Sequence, residues 1–203
     1  MSKVIVFTNL TLDGVMQAPG RPDEDRRGGF EHGGWAAPYA AMTAAGESTP
    51  NFGALLLGRW TYEEFYAYWP KQKDSPFSAI LDNMQKYVAS TTLSEPLAWI
   101  NSTLLKGDAA ETVARLKQES GTDLVIMGSG ELVQSLMRAN LIDEYVLLIH
   151  PLILGSGRHL FPDGGAFATL QLVNTRTTTT GVVVATYQPV EPASNKTTGA
   201  ATH

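Results

Sequence analysis

Two glycine-containing segments of the sequence could bind phosphate groups. One is "GRWTYEEF", in which Gly58, Arg59 and Thr61 follow the apolar run "ALLL", and the other is "GSG" at 128–130, which follows "LVIM". Where a strand passes into a helix, free backbone N–H groups and the positive end of the helix dipole attract anions. Thr61 and Glu64 also match the capping box of an ordinary helix start. A tight turn with a serine cap likewise explains "GSG", so both explanations stay open.

Other catalytic motifs are excluded by their spacing. Val133 stands where the Rossmann fingerprint requires its third glycine, and neither "GSG" nor "LGSGR" at 154–158 has the form of a nucleophile elbow. The four histidines have no metal-ligand spacing, and the chain contains no cysteine. We therefore expect no metal site, no disulfide and no cysteine nucleophile.

Two polar residues at strand ends could contact a substrate. Asp13 follows an apolar strand and precedes Gly14, so its carboxylate faces either the N–H groups of its own turn or a substrate. His150 ends another apolar run immediately before Pro151 and points either into a site or into a turn. The residues alone do not decide between these alternatives.

Short apolar runs alternate with amphipathic segments along most of the chain. This alternation predicts an α/β fold in which a mostly parallel sheet carries helices on both sides, with strands buried on both faces. The predicted strands are 4–10, 54–58, 86–90, 124–128 and 144–150, and the predicted helices are 60–69, 76–84, 109–119 and 130–139. The segment 171–188 around Gly181 has no room for a crossover helix and predicts an antiparallel hairpin.

The chain is expected to form one domain, 1–188, followed by a disordered C-terminal tail at 189–203, which lacks apolar periodicity. The segment 17–34 is rich in glycine, proline and charge, and we predict a long mobile loop of the kind that forms lids. We expect the aromatic residues of 60–69 to lie in the core or at a dimer surface.

Composition limits the possible partners. The chain has 203 residues, 43% of them hydrophobic, and a net charge of -5. No strong basic field exists to bind nucleic acid or an anionic membrane. No segment has the length of a membrane span or the pattern of a signal peptide, and the absence of cysteine suits a reducing compartment. We therefore expect a cytoplasmic protein that binds a small molecule and neither nucleic acid nor membranes.

Several motifs, in order, resemble one superfamily. They are "VIVFTNLTLDGVM", "GRWTYEEF", "KYVASTTL", "LVIMGSGELVQSLM" and "LIDEYVLLIHPLILGSGRHLF", followed by the hairpin. Together they resemble the dihydrofolate-reductase-like superfamily, on the branch of the C-terminal reductase domain of the bifunctional riboflavin-biosynthesis deaminase/reductase. The resemblance covers about residues 3–188. It implies a three-layer fold with a central sheet of about eight strands, largely parallel except for the last.

The resemblance also implies NADPH as the cofactor and a set of residues that contact it. No carboxylate stands at the end of the third strand, where one would favour NAD. The matching positions are Asn9 and Met16 at the nicotinamide, Gly58, Arg59 and Thr61 at the phosphates, Ser90 and Thr91 around the adenosine 2′-phosphate, and Gly128, Ser129 and Gly130 under the pyrophosphate.

Two departures from the superfamily pattern limit the substrate. The segment 35–46 offers no acidic residue to grip a pteridine, and Val15 follows Asp13-Gly14 where the riboflavin-pathway reductases usually carry a basic residue. The zinc deaminase part, which needs cysteine ligands, is also missing. Dihydrofolate is thus a poor candidate for the substrate, and the assignment to the riboflavin pathway is weakened as well.

We therefore predict a stand-alone NADPH-dependent reductase that transfers hydride to a C=N or C=O bond of a small pyrimidine- or pterin-like molecule. It would be related to 5-amino-6-(5-phosphoribosylamino)uracil reductase. Asp13 is the predicted catalytic residue and orients the substrate, with His150 as a second substrate contact. The alternative is a non-catalytic NADP(H)-binding module, such as a sensor or an assembly subunit. A homodimer is the expected assembly.

Overall fold

A computed structural model describes residues 1–40 and 53–190, which contain an eight-stranded sheet in the order β4-β3-β2-β5-β1-β6-β8-β7. The strands are β1 Val4–Thr11, β2 Ala54–Gly58, β3 Lys86–Ala89, β4 Ser102–Leu105, β5 Leu124–Met127, β6 Glu144–His150, β7 Leu170–Thr177 and β8 Val183–Pro189. The helices are α1 Ala37–Ala40, α2 Arg59–Tyr68, α3 Pro76–Asn83, α4 Ala109–Glu119 and α5 Gly130–Arg138.

The sheet confirms the predicted fold class. From β4 to β6 every neighbouring pair of strands is parallel, whereas β8 is antiparallel to both β6 and β7. The predicted C-terminal hairpin is therefore correct, and Gly181 adopts a φ of 85° in its turn. The short strand β4 and helix α1 were not predicted from the sequence, because four residues are too few to show a period.

The connections after β2 and β5 leave in opposite directions. From β2 the chain continues through α2 and α3 to β3, whereas from β5 it crosses through α5 to β6 on the other side of β1. Leu132 and Val133 of α5 belong to the main core, while Tyr62 of α2 belongs to a second core on the other face. The carboxyl ends of β2 and β5 thus flank a topological switch point, where open α/β sheets bind ligands.

Burial of the strands differs across the sheet. The prediction of strands buried on both faces is correct for β2, in which residues 54–57 are fully buried. It is wrong for β1, where Val4 and Val6 are in the core but Ile5 and Phe7 are only half-buried. The second face of β1 lines a cleft, which leaves part of its apolar surface open.

Some of the sequence-based expectations lie beyond the part of the chain that the structure describes. Residues 191–203, most of the predicted tail, and residues 41–46 of the segment without acidic residues are among them. Within residues 1–40 and 53–190, none of the helices has the length and apolar character that a membrane crossing requires.

A buried lysine anchors the segment that leads into the cleft. Lys86, at the start of β3, is fully buried, and its ammonium donates hydrogen bonds to the carbonyl groups of Leu81 at 2.6 Å and Met84 at 2.7 Å. The Nζ atom also lies 4.6 Å from the centroid of the Trp99 ring. Lys86 therefore satisfies carbonyl groups at the C-terminal end of α3, which have no partner within the helix.

We predict that Lys86→Met lowers the free energy of unfolding by about 2–4 kcal/mol, because the carbonyl groups would stay buried without a donor. Urea denaturation measures the difference. Lys106→Met is the matched control, since Lys106 is exposed and makes an ion pair of 3.2 Å with Glu95 at the surface. The control should change stability by less than about 1 kcal/mol. Equal effects of the two substitutions would contradict the role given to Lys86.

Candidate active site

A cleft of about 1820 Å³ runs along the carboxyl edge of the sheet and over one face of β1, β6 and β8. Ligand pockets commonly measure roughly 300–1,000 Å³, so this cleft has room for two ligands or for one extended ligand. One half is polar and is formed by the segments that follow β2, β3 and β5. The other half is largely apolar and is formed by the sheet face, including Phe7, Val146, Leu148 and Val184.

Reciprocal hydrogen bonds join the two glycine-containing segments in the polar half. The backbone N–H of Gly58 donates to Ser129 Oγ at 3.0 Å, and the backbone N–H of Ser129 donates to Thr61 Oγ1 at 3.0 Å. The N-termini of α2 and α5 are consequently held side by side at the switch point. The first backbone N–H groups of each helix have no partner within their helix and can bind an anion.

The capping box predicted at Thr61 and Glu64 is wrong. Helix α2 begins at Arg59, its N-cap is Gly58, and no side chain caps it. The hydroxyl of Thr61 is used by Ser129 instead, and Glu64 accepts a hydrogen bond from Arg21 at 3.3 Å. Tertiary partners have replaced the local pairing that the sequence pattern suggested.

The turn at 128–130 requires small residues. Gly128 and Ser129 adopt left-handed φ angles of 62° and 50°, and a Cβ on Gly128 would lie 3.2 Å from the Thr61 side chain. A Cβ on Gly130 would lie 2.6 Å from Met16 Sδ. The structure thus brings Met16 to the glycine turn, as expected if both contact one ligand. It also shows that Gly130 makes room for Met16.

The segment after β3 forms a turn that contacts Arg59. Ser90 Oγ accepts hydrogen bonds from the backbone N–H groups of Thr92 at 3.1 Å and Leu93 at 3.0 Å. Arg59 donates from Nη1 to Thr92 Oγ1 at 2.7 Å. Ser90, Thr91 and Thr92 all line the cleft. Thr92, which was not predicted, is therefore the hydroxyl that holds Arg59, and its only sequence signal is membership in the run Ser90-Thr91-Thr92.

In the apolar half, the buried His150 at the end of β6 and the partly buried Asn9 of β1 form a polar pair. His150 Nε2 lies 2.9 Å from Asn9 Oδ1, and the ring makes edge-to-face contacts with Trp35 and Tyr39. The side chain is almost completely buried, and burial lowers its pKa to about 4. Among the described residues, no hydrogen-bond partner reaches Nδ1. His150 thus lines the cleft as a neutral ring, consistent with the expectation of a site contact.

Asp13 is engaged in its own turn. Its carboxylate accepts hydrogen bonds from the Thr11 hydroxyl, from the backbone N–H of Gly155 at 2.7 Å and from that of Leu154 at 3.2 Å. The Thr11 hydroxyl and the two backbone donors lower the pKa of Asp13, against the opposing effect of burial. Asp13 is not among the residues that line the cleft. These contacts favour the turn role, and the catalytic role stays a prediction.

The segment 17–34 lines part of the cleft and contacts α2. The guanidinium of Arg21 lies 4.1 Å from the centroid of the Tyr68 ring, and that of Arg27 lies 4.1 Å from the Trp60 ring. Trp60 and Tyr68, with Glu64 between them, occupy one face of α2 because they are spaced by four residues. Two of the aromatic residues expected in the core or at a dimer surface therefore hold this loop instead.

Within residues 1–40 and 53–190, no group of three or more His, Cys, Asp or Glu side chains could hold a metal ion.

The family model of the RibD C-terminal domain matches residues 2–184, which is nearly the whole chain. The chain belongs to the RibD C-terminal domain family. The protein YyaP of Bacillus subtilis (strain 168) is 34% identical over 140 residues, which cover 66% of this chain and 72% of YyaP. The protein YwjB of the same organism is 33% identical over 124 residues, covering 60% of this chain and 66% of YwjB.

Solved structures confirm the fold of this RibD C-terminal domain. A protein from Shewanella sp. PV-4, described as a riboflavin biosynthesis protein, superposes with a TM-score of 0.65 at 21% identity, covering 93% of this chain and 99% of that chain. A pyrimidine reductase-like protein from Corynebacterium diphtheriae NCTC has a TM-score of 0.56 at 10% identity, covering 94% and 93% respectively. At these identities the likeness concerns the fold.

We predict that Thr61→Val destabilises the protein by about 1–2 kcal/mol, because the backbone N–H of Ser129 loses its acceptor in a half-buried position. Thr61→Ser keeps the hydroxyl and should retain most of the stability. Urea denaturation of the three proteins measures the effect. If the valine and serine variants are equally stable, the hydrogen bond does not hold the two helix starts together.

We also predict that acid destabilises the protein through His150. Its pKa is about 4 in the folded chain, against an ordinary value of 6.5, so the unfolded chain binds more protons between these two pH values. The stabilisation is complete above pH 6.5 and is lost as the pH falls towards 4, by at most about 3 kcal/mol.

Urea denaturation across this pH range, with His150→Gln as the reference, isolates the contribution of the imidazole. Carboxylates titrate in both proteins, so the contribution of His150 is the difference between the two curves of unfolding free energy against pH. Parallel curves for the wild type and the variant would show that the ring is not buried in its neutral form.

Proposed function

We propose that this chain is an NADPH-dependent reductase that transfers hydride to a C=N or C=O bond of a small planar heterocycle of the pyrimidine or pterin type. Membership of the RibD C-terminal domain family supports a reductase like those of the riboflavin pathway. The finer points, namely the cofactor, the reaction and the substrate, are argued from the cleft.

The observation that carries the proposal is the pair of helix N-termini joined by Gly58, Thr61 and Ser129 at the switch point. A pyrophosphate needs several N–H donors and a close approach of the backbone. The left-handed glycine turn at Gly128 supplies such an approach, and Arg59 adds a positive charge at the same edge of the cleft. These residues fit the phosphates of a dinucleotide.

Within the proposal, the cofactor lies across the ends of β5, β2 and β3. Gly58, Thr61 and the turn 128–130 would hold its phosphates, Arg59 with the 90–92 turn its adenosine end, and Asn9 and Met16 its nicotinamide. When bound, the nicotinamide supplies the hydride. The protein contributes the binding surface and the orientation of the two reactants.

The apolar half of the cleft suits a flat ring. Phe7, Val146 and Leu148 form an apolar floor, and Asn9 with His150 supplies polar atoms at one end. Because burial lowers the pKa of His150 to about 4, the imidazole is neutral near pH 7, and its contact with Asn9 fixes the Asn9 amide beside the substrate. The proton that completes the reduction comes from water, because the lowered pKa of Asp13 leaves its carboxylate charged.

A non-catalytic NADP(H)-binding module is the second candidate. It is favoured by the contacts of Asp13, whose carboxylate is held by three hydrogen-bond donors outside the cleft lining. Incubation of the protein and NADPH with a panel of pyrimidines, pterins, imines and carbonyl compounds distinguishes the two. Loss of absorbance at the NADPH band with any compound supports the reductase, and binding without turnover across the panel supports the module.

We predict that NADPH binds at least about tenfold more tightly than NADH, because Arg59 can pair with the 2′-phosphate. Calorimetric titration with both cofactors measures the ratio. Equal binding of NADPH and NADH, or no binding of either below millimolar concentration, contradicts the cofactor placement.

Gly128→Ala should weaken the binding of both cofactors by about tenfold or more, because the turn would lose its left-handed geometry.

A homodimer is proposed as the assembly. Strand β7 is at the edge of the sheet, and Leu172 and Val173 on it are about half exposed. Edge strands of this kind pair readily with a second chain. Sedimentation analysis of the wild type beside Val173→Lys tests the homodimer, and a wild type that stays monomeric at high concentration rules it out.

The cytoplasmic location stays a prediction from composition.

A further inference from the structure

Arg59 is held by two neighbours at the edge of the cleft. Its Nε–H donates to Glu63 Oε1 at 2.9 Å, one helical turn along α2, and its Nη1 donates to Thr92 Oγ1 at 2.7 Å. The guanidinium keeps further N–H groups free of these two partners and lines the cleft. Arg59 is therefore oriented before any ligand arrives.

We infer that Glu63 and Thr92, the two partners of Arg59, set the preference between NADPH and NADH in opposite directions, a role that rests on the proposed binding of NADPH. Thr92 strengthens the preference because it holds the guanidinium in place. Glu63 weakens the preference because its charge opposes that of the 2′-phosphate. Thr92 is thus a positioning residue that acts through Arg59, whereas Glu63 acts on the 2′-phosphate through its charge.

The charge of Glu63 distinguishes the two cofactors. The side chain is 39% exposed and forms the ion pair with Arg59 without being part of the cleft lining. A 2′-phosphate on the free side of the guanidinium carries about one and a half to two negative charges, and a carboxylate on the other side repels it. The 2′-hydroxyl of NADH is neutral and feels little of this repulsion. Glu63 therefore weakens the binding of NADPH and leaves the binding of NADH almost unchanged.

The position of Thr92 depends on Ser90. Ser90 Oγ accepts the backbone N–H groups of Thr92 and Leu93, and this turn brings Thr92 Oγ1 to Arg59. Because its oxygen already accepts these two hydrogen bonds, Ser90 mainly shapes the turn. Without the Thr92 hydroxyl, Arg59 would keep only the partner that directs it along α2.

The test measures dissociation constants for NADPH and NADH by calorimetry on the full chain. Glu63→Gln keeps a hydrogen-bond acceptor for the Nε–H of Arg59 and removes only the charge. We expect NADPH to bind about 3- to 10-fold more tightly and NADH to change by less than about twofold. The gain should shrink in 0.5 M salt, because exposed charges are screened.

Thr92→Val should have the opposite effect. We expect NADPH to bind about 3- to 10-fold more weakly, with NADH nearly unchanged, because one tether of Arg59 is lost. Thr92→Ser restores the hydroxyl and should restore the affinity. Glu119→Gln, at the end of α4 away from the cleft-lining Ala109, removes the same charge elsewhere and should leave the NADPH-to-NADH ratio unchanged.

The outcomes separate this inference from the proposed function. If the wild type binds neither cofactor, the proposed function fails and the inference fails with it. If both cofactors bind but Glu63→Gln weakens the binding of NADPH, or changes the affinities for NADPH and NADH alike, the inference fails and the proposed function stands. A Thr92→Val variant that melts normally and keeps the wild-type ratio also overturns the part assigned to Thr92.

Discussion

The hydrogen bonds between Gly58, Thr61 and Ser129 are the constraint on which the rest of the site depends. They join the ends of two neighbouring parallel strands whose helices leave to opposite faces of the sheet. Without this connection only the pairing of β2 with β5 would hold the two helix starts near each other, and their N–H groups would converge less closely. Each hydroxyl satisfies a backbone group of the other segment, so the junction is built without a charged side chain.

The cleft exists because the sheet is covered unequally. On one face α4 and α5 pack against β1 and β5 and bury Val4, Val6 and Ile126. On the other face the second core is displaced towards β2 and β3, so β1 and β6 keep an accessible apolar surface. Side chains that alternate along β1 therefore have different surroundings, with one set in the core and the other lining the cleft.

Polar groups in the cleft and beside it are restrained before any ligand binds. Arg59 is held by Glu63 and Thr92, and Asp13 by three donors, while the loop 17–34 is attached to α2 through arginine–aromatic contacts. A preorganised site loses less conformational freedom when it binds its ligand. The same restraint makes Asp13 a poor acid or base in this conformation, because its carboxylate is already stabilised in the charged form.

The sequence by itself determined most of the order of elements, the largely parallel sheet, the closing hairpin and the glycine turns at the strand ends that form the candidate site. Apolar runs and glycine turns are local patterns that depend on nearby residues, so they can be read directly. The tertiary structure alone decided which polar groups meet. The Thr61 hydroxyl accepts from Ser129, 68 residues away, and not from its own helix. Asp13 pairs with the backbone of Gly155, 142 residues away. Such partners depend on how the elements pack, because a polar atom forms a hydrogen bond with whichever neighbour the fold brings within reach. A local pattern such as the apparent capping box carries no information about that neighbour.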